Sequence, residues 1–216
     1  ADPRPGANDL LIKVHRCGIC GTDLSFTKGT MWDFGTGVQF GHEYSGEVIE
    51  VGSAVEGFRV GDRIAVLPSV ACGECPSCRS HGNNVLCRAS PDTAMVGFAE
   101  LARVPASVAT KLPSSLSLAD GALIEPLAVA LHGINLSGLK TGDKVLVLGA
   151  GPIGLAVAFW ARRYGAAQVV VQDIARFQEQ RALDMGADAF VVYPADPVGS
   201  AERALGGKAD IVFECV

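Results

Sequence analysis

Residues 144–154 read KVLVLGAGPIG. Four consecutive branched apolar residues followed at once by glycine, glycine and glycine at G-x-G-x-x-G spacing admit few structures. The uncharged stretch continues to residue 161, and its 17 residues approach the length of a membrane helix. However, Gly149, Gly151, Pro152 and Gly154 stand in its middle, where they would break such a helix. A buried strand, a tight turn and a buried helix satisfy the same residues. The pattern therefore excludes a membrane span there and sets the chain on an α/β course.

The sequence downstream keeps that course. Residues 168–173 and 189–193 read as strands, residues 175–185 and 197–205 as helices, and residues 209–216 as a last strand. Strand–helix alternation of this kind implies a doubly wound parallel sheet with helices on both faces. Within it, Gly149-Ala150-Gly151-Pro152-Ile153-Gly154 has the context that gives the glycine motif meaning: a strand before it and a helix after it. Gly149 allows the turn, Gly151 lets a pyrophosphate reach the backbone, and Gly154 permits close helix–strand packing, while the N–H groups of residues such as Ile153 open the helix towards the phosphates. Asp173 closes the next strand, where an acid binds the ribose 2′-hydroxyl. A carboxylate there repels a 2′-phosphate, so NAD is expected over NADP, although Arg176 lies three residues on. Only four strands of the six in a full dinucleotide fold are present, and the chain is expected to be a piece of a longer protein.

Upstream, residues 1–112 are of a different kind. Residues 10–14, 47–51 and 63–67 are β-rich runs, the last two bounded by glycines, and they suggest a barrel or sandwich. The change falls near Leu112-Pro113-Ser114, so residues 1–112 and 113–216 are expected to form separate domains. Residues 117–136 read as helical, with Pro126 inside or at the start of a helix.

The barrel region is interrupted at residues 72–87 by Cys72, Cys75, Cys78 and Cys87, in the spacing C-x2-C-x2-C-x8-C. Four thiolates so spaced close a tetrahedron around Zn²⁺ with no open position, which makes a structural site. His81 lies inside this lobe and is expected to face solvent. Seven cysteines in 216 residues is an odd count and too low a density for a disulfide scaffold, so a reducing, cytoplasmic setting is expected. With 18 basic and 23 acidic residues and no basic run, the chain lacks a nucleic-acid footprint. No membrane partner is expected either.

A second cluster is sparser. Cys17-Gly18-Ile19-Cys20-Gly21-Thr22-Asp23 precedes Phe40-Gly41-His42-Glu43. A C-x-x-C pair serves redox chemistry or metal binding, but a redox pair belongs at a helix start in a βαβ unit, and this one follows a β-rich run. Gly41-His42-Glu43, continued by Gly46, Gly52 and Val55, resembles the zinc signature of the medium-chain alcohol dehydrogenases. Cys20-Gly21-Thr22-Asp23, the four-cysteine lobe, Glu125-Pro126 and the glycine motif follow in that family's order. The resemblance covers essentially the whole chain and points to its sorbitol-, threonine- and butanediol-dehydrogenase-like branch.

The resemblance implies a GroES-like catalytic domain followed by a Rossmann domain, both partial. It implies a catalytic zinc held by Cys20 and His42, with Glu43 or Glu125 as third ligand, or the two in exchange. Asp23 would hold His42 in its ligating tautomer, and Thr22 would accept the alcohol proton. Ser25 stands where many members have a histidine that passes the proton on. Met31-Trp32-Asp33-Phe34 would line the substrate pocket or pack as a surface loop. The expected activity is hydride transfer between NAD and a secondary alcohol or polyol and its ketone, in a homodimer or homotetramer. The competing reading is a zinc-binding fragment or interaction module without catalysis.

Overall fold

The computed structural model describes residues 2–29, 37–81, 87, 94–193 and 196–216, the side chains of residues 80 and 81 excepted. The chain divides into two compact units, Ala1–Glu125 and Pro126–Val216.

The first unit carries a five-stranded antiparallel sheet in the order β4-β1-β2-β3-β5. Its strands are β1 (Asp9–Gly18), β2 (Glu43–Val51), β3 (Arg63–Val66), β4 (Leu101–Pro105) and β5 (Ala109–Lys111). Alternation explains the sheet: Leu10, Ile12, Tyr44, Val48, Ile64 and Val104 point to one side and are almost wholly buried. β1 runs on past the sequence expectation of 10–14, to Gly18, because it pairs with β2 along its length, ending on Cys17 opposite Tyr44 and Gly18 opposite Glu43. Two register shifts within that pairing bend the strand. Short helices α1 (Gly21–Thr27) and α2 (Pro76–His81) leave the sheet.

The expected helical stretch 117–136 is two helices, α3 (Leu118–Gly121) and α4 (Ile124–Ser137). Ser117 caps α3 by accepting the Asp120 N–H at 3.0 Å. A Cβ at Gly121 would meet Leu112 and Ser45, so α3 packs close to β2 of the antiparallel sheet. This grouping sets α3 with the residues before it, whereas composition divides the chain at 112/113.

The second unit is a four-stranded parallel sheet in the order β8-β7-β6-β9. The strands are β6 (Lys144–Leu148), β7 (Gln168–Asp173), β8 (Ala189–Val192) and β9 (Ile211–Glu214). Between them run α5 (Pro152–Arg163), α6 (Glu179–Asp184, entered through a 3-10 turn) and α7 (Pro197–Leu205). β9 joins the far side of β6, which makes the strand order reverse there and sets the glycine turn at the switch point. The core is small residues against valines: Ala156, Ala158 and Ala161 of α5 meet Val145, Val147, Val169 and Val171. Among the described residues no helix is long and apolar enough to cross a membrane.

Candidate functional site

The first unit brings Cys20, His42 and Glu43 together, with one ligand atom of each within 4.8 Å of the others. Cys20 is the residue that starts α1, His42 immediately precedes β2 and Glu43 opens it. Register does the positioning: the end of β1 lies beside the start of β2, and Cys20 follows two residues beyond Gly18. Gly41 has φ +89, and a Cβ there would strike the Phe98 ring and Cys17 Sγ, so the turn into His42 needs glycine. A Cβ at Gly46 would overlap the Lys13 carbonyl.

Asp23, only 3% exposed, ties these pieces together. Its Oδ2 accepts the Cys20 N–H at 2.9 Å and its Oδ1 accepts the Gly41 N–H at 3.4 Å. The same Oδ1 stands 3.4 Å from His42 Nδ1. That nitrogen is buried and has no well-formed hydrogen bond, so Asp23 lies beside it at the long end of contact.

The electrostatics are those of a site short of positive charge. Burial pushes the Cys20 thiol up, against hydrogen bonds from Thr22 backbone and hydroxyl that pull it down, and Glu43 and Asp23 push it further up. Burial raises the Glu43 carboxyl, offset by His42 and by a hydrogen bond with Cys20 and augmented by Asp23. Glu125, in the first turn of α4, is raised by burial too, with His42 lowering it and Glu43 raising it. Glu125 thus senses the cluster but stands outside the group of three. A thiol, an imidazole and a carboxylate so placed are the donor types of an open zinc site, and the cation would relieve the charge that burial penalises. Cys17 is not among the converging donors; burial first, then Asp23 and Glu43, push it up to about 12.

Cys72, Cys75, Cys78 and Cys87 also converge within 4.8 Å. The Cys72–Cys78 and Cys75–Cys78 sulfur separations are 3.9 and 3.4 Å. The edge of a tetrahedron with Zn–S bonds of about 2.3 Å is about 3.8 Å, so the four thiols fit the metal. Backbone N–H groups of Cys75 and Cys72 point at Cys72 Sγ and Cys87 Sγ, each at 3.4 Å, as suits thiolate acceptors. No disulfide joins any of the seven cysteines. The His81 side chain and residues 31–34 lie outside the described residues.

In the second unit Gly149 has φ +97, its N–H bonded to the Gln172 carbonyl at 2.8 Å. A Cβ at Gly154 would overlap the Gly149 carbonyl, so helix and turn touch there. A Cβ at Gly151 would meet nothing within 4 Å. That open approach to the start of α5, where Pro152 leaves the N–H groups of residues such as Ile153 facing outward, fits a pyrophosphate. Beside it a cleft of about 270 Å³ is lined by Gly149, Asp173, Ile174 and Tyr193, among others. Asp173 stands at its rim, but both oxygens are already engaged: Oδ2 accepts the Ala150 N–H at 2.6 Å and Oδ1 the Ala175 N–H at 2.7 Å. The sequence signals the position of this acid but not its hold on the glycine turn.

The chain thus carries an antiparallel unit with a Cys-His-Glu cluster and a four-cysteine lobe, and a parallel unit with a glycine turn at its switch point. The profile "Alcohol dehydrogenase GroES-like domain" matches residues 6–114, and "Zinc-binding dehydrogenase" matches residues 152–216. The chain belongs to this zinc-binding alcohol dehydrogenase family. It is similar to sorbitol dehydrogenase of Ovis aries, 36% identical over 224 residues, which are 99% of this chain and 63% of that protein. A solved structure described as a zinc-binding dehydrogenase from Sinorhizobium meliloti 1021, bound to NADP, has a TM-score of 0.87 at 40% identity, covering 99% of this chain and 64% of its own. A solved structure described as a short chain alcohol dehydrogenase from Escherichia coli CFT073, complexed with NADH, has a TM-score of 0.88 at 32% identity, covering 99% of this chain and 64% of its own. The chain thus spans less than two thirds of the length of these relatives.

Proposed function

We propose that the protein is a zinc-dependent oxidoreductase that moves a hydride between NAD and a secondary alcohol or polyol. The observation that carries this reading is the convergence of Cys20, His42 and Glu43 beside a buried Asp23. Three protein donors leave a fourth position open for substrate, unlike the four-thiol lobe. Zinc bound there would polarise the substrate oxygen, and the nicotinamide would take the hydride.

The residues of the chain supply the rest. Cys20 and His42 bind, and Glu43 is the third donor; Glu125, half-buried nearby, is the reserve carboxylate. Asp23 holds the imidazole through its Nδ1 side, leaving Nε2 as the ligating nitrogen. Thr22 carries the hydroxyl that accepts the alcohol proton. Ser25 has no titratable group at neutral pH, so onward transfer from Thr22 runs through water rather than through a histidine side chain. The glycine turn seats the pyrophosphate, and Asp173 meets the adenosine ribose with a negative charge, which favours NAD over NADP. The nearest working model for substrate is a polyol, in line with the sorbitol dehydrogenase relative; cytoplasmic location and a homodimer or homotetramer complete the proposal.

The test is NADH formation by the zinc-loaded protein with a panel of sorbitol, 2,3-butanediol, threonine and benzyl alcohol, run with NAD and with NADP. A secondary alcohol or polyol turned over with NAD, and abolished by Cys20→Ser, supports the reading. Turnover that survives Cys20→Ser overturns it.

A further inference from the structure

We propose that Gly18 is a positioning residue for the metal centre: its missing side chain is the space that lets the Glu43 carboxylate swing in beside Cys20 and His42. This rests on the reading of Glu43 as the third zinc donor.

The argument starts from the ladder. Gly18 is the last residue of β1 and pairs directly with Glu43, the first residue of β2. Residues directly opposite in an antiparallel pair put their side chains on the same face, about 4.5–5.5 Å apart at Cβ. A side chain on residue 18 would therefore stand where Glu43 folds over. A Cβ at Gly18 would overlap Glu43 Oε2 and would lie 3.2 Å from Glu43 Cβ and 3.4 Å from its Cδ. The carboxylate that occupies this space also has an oxygen within 4.8 Å of the Cys20 sulfur, two residues further on. One pocket of volume, left by one missing methyl, thus links the strand pair to the donor cluster.

Two further observations separate this from an ordinary glycine. Gly18 is not among the glycines with positive φ, so its backbone does not require glycine. The three nearest atoms its Cβ would meet all belong to the Glu43 side chain, and the one real overlap is with that side chain's tip rather than with backbone. A flexible tip moves at little cost, so an alanine here leaves the fold intact and displaces the carboxylate alone. Gly21, one residue past Cys20, offers the control: a Cβ there meets nothing within 4 Å.

The experiment uses the full chain loaded with Co²⁺, whose visible absorption reports the donors of the open site, and follows metal removal by a chelator. Four variants are compared with wild type: Gly18→Ala, Gly21→Ala, Glu43→Gln and the double Gly18→Ala/Glu43→Gln. Gly18→Ala is expected to keep the wild-type melting temperature, to take on the cobalt spectrum of Glu43→Gln, and to release metal about 10–100-fold faster. The double variant is expected to match Glu43→Gln, because the methyl acts only through that carboxylate. Gly21→Ala is expected to behave as wild type. If Glu43→Gln leaves the spectrum unchanged, Glu43 is not a ligand and the underlying reading fails. If Glu43→Gln changes the spectrum and Gly18→Ala does not, the positioning role of Gly18 fails. Failure of Gly18→Ala to fold, or full additivity in the double variant, also overturns it.

Discussion

Asp23 Oδ1 stands 3.4 Å from His42 Nδ1 while the other Asp23 oxygen holds the Cys20 N–H at 2.9 Å. One buried carboxylate therefore addresses two of the three converging donors, one through its ring nitrogen and one through its backbone. Asp23→Ala is expected to weaken zinc binding at this cluster about 10–100-fold and to leave the four-cysteine lobe loaded. Competition with a metal indicator on wild type and variant reads both sites. Equal loss from both would mean that the substitution acts on the fold.

The glycine turn allows fold and cofactor binding to be separated. Gly151→Ala puts a methyl into open space, so the melting temperature is expected to hold while NADH affinity falls. Gly154→Ala drives a methyl into the Gly149 carbonyl, at a cost of about 1–3 kcal/mol of stability. Denaturant midpoints and an NADH fluorescence titration on the two variants test the contrast. A Gly151→Ala protein that binds NADH as wild type does would remove the pyrophosphate from this turn.

Much of this site is legible in the sequence because its parts are local. The strand before Gly149, the helix after Gly154 and the spacing of Cys72, Cys75, Cys78 and Cys87 all act over short distances along the chain. Which acid joins the cluster is not local. Glu43 and Glu125 are both acids next to telling neighbours, and it is the β1–β2 register, which sets Glu43 over Gly18, that brings Glu43 in beside Cys20 and His42. The split of residues 117–136 into α3 and α4 also escapes the sequence, because packing of Gly121 against Leu112 and Ser45 decides it. Asp173 shows the same limit: its place at the strand end is readable, its bond to the Ala150 N–H is not.

Burial raises the Glu43 carboxyl above its ordinary value of 4.5, ahead of the lowering by His42 and by the Cys20 hydrogen bond. In metal-free protein the folded state thus favours the protonated acid. Its contribution to stability is fully present below the ordinary value and is lost as pH rises through the raised one. Metal-free wild type is expected to lose stability relative to Glu43→Gln over that rise, and zinc is expected to reverse the order. Urea midpoints of both proteins across the pH range, with chelator and with zinc, check the sign. Parallel curves without metal would contradict it.

The lobe makes a separate claim. Cys78 is pushed up to about 12 by burial first and then by hydrogen bonds it shares with Cys75, Cys87 and Cys72, which is the state a divalent cation relieves. Cys78→Ser is expected to remove one zinc equivalent and lower thermal stability, with the Cys20 cluster still loaded. Retention of both equivalents would show that the four thiols are not a metal site.

Counting zinc by native mass spectrometry on wild type, Cys20→Ser, Cys78→Ser and the double variant tests the two-site account most directly. Two zinc ions per chain in wild type, one in each single variant and none in the double is the expected result. A single zinc in wild type, or two remaining in Cys20→Ser, would contradict a metal centre at Cys20, His42 and Glu43 and the oxidoreductase reading built on it.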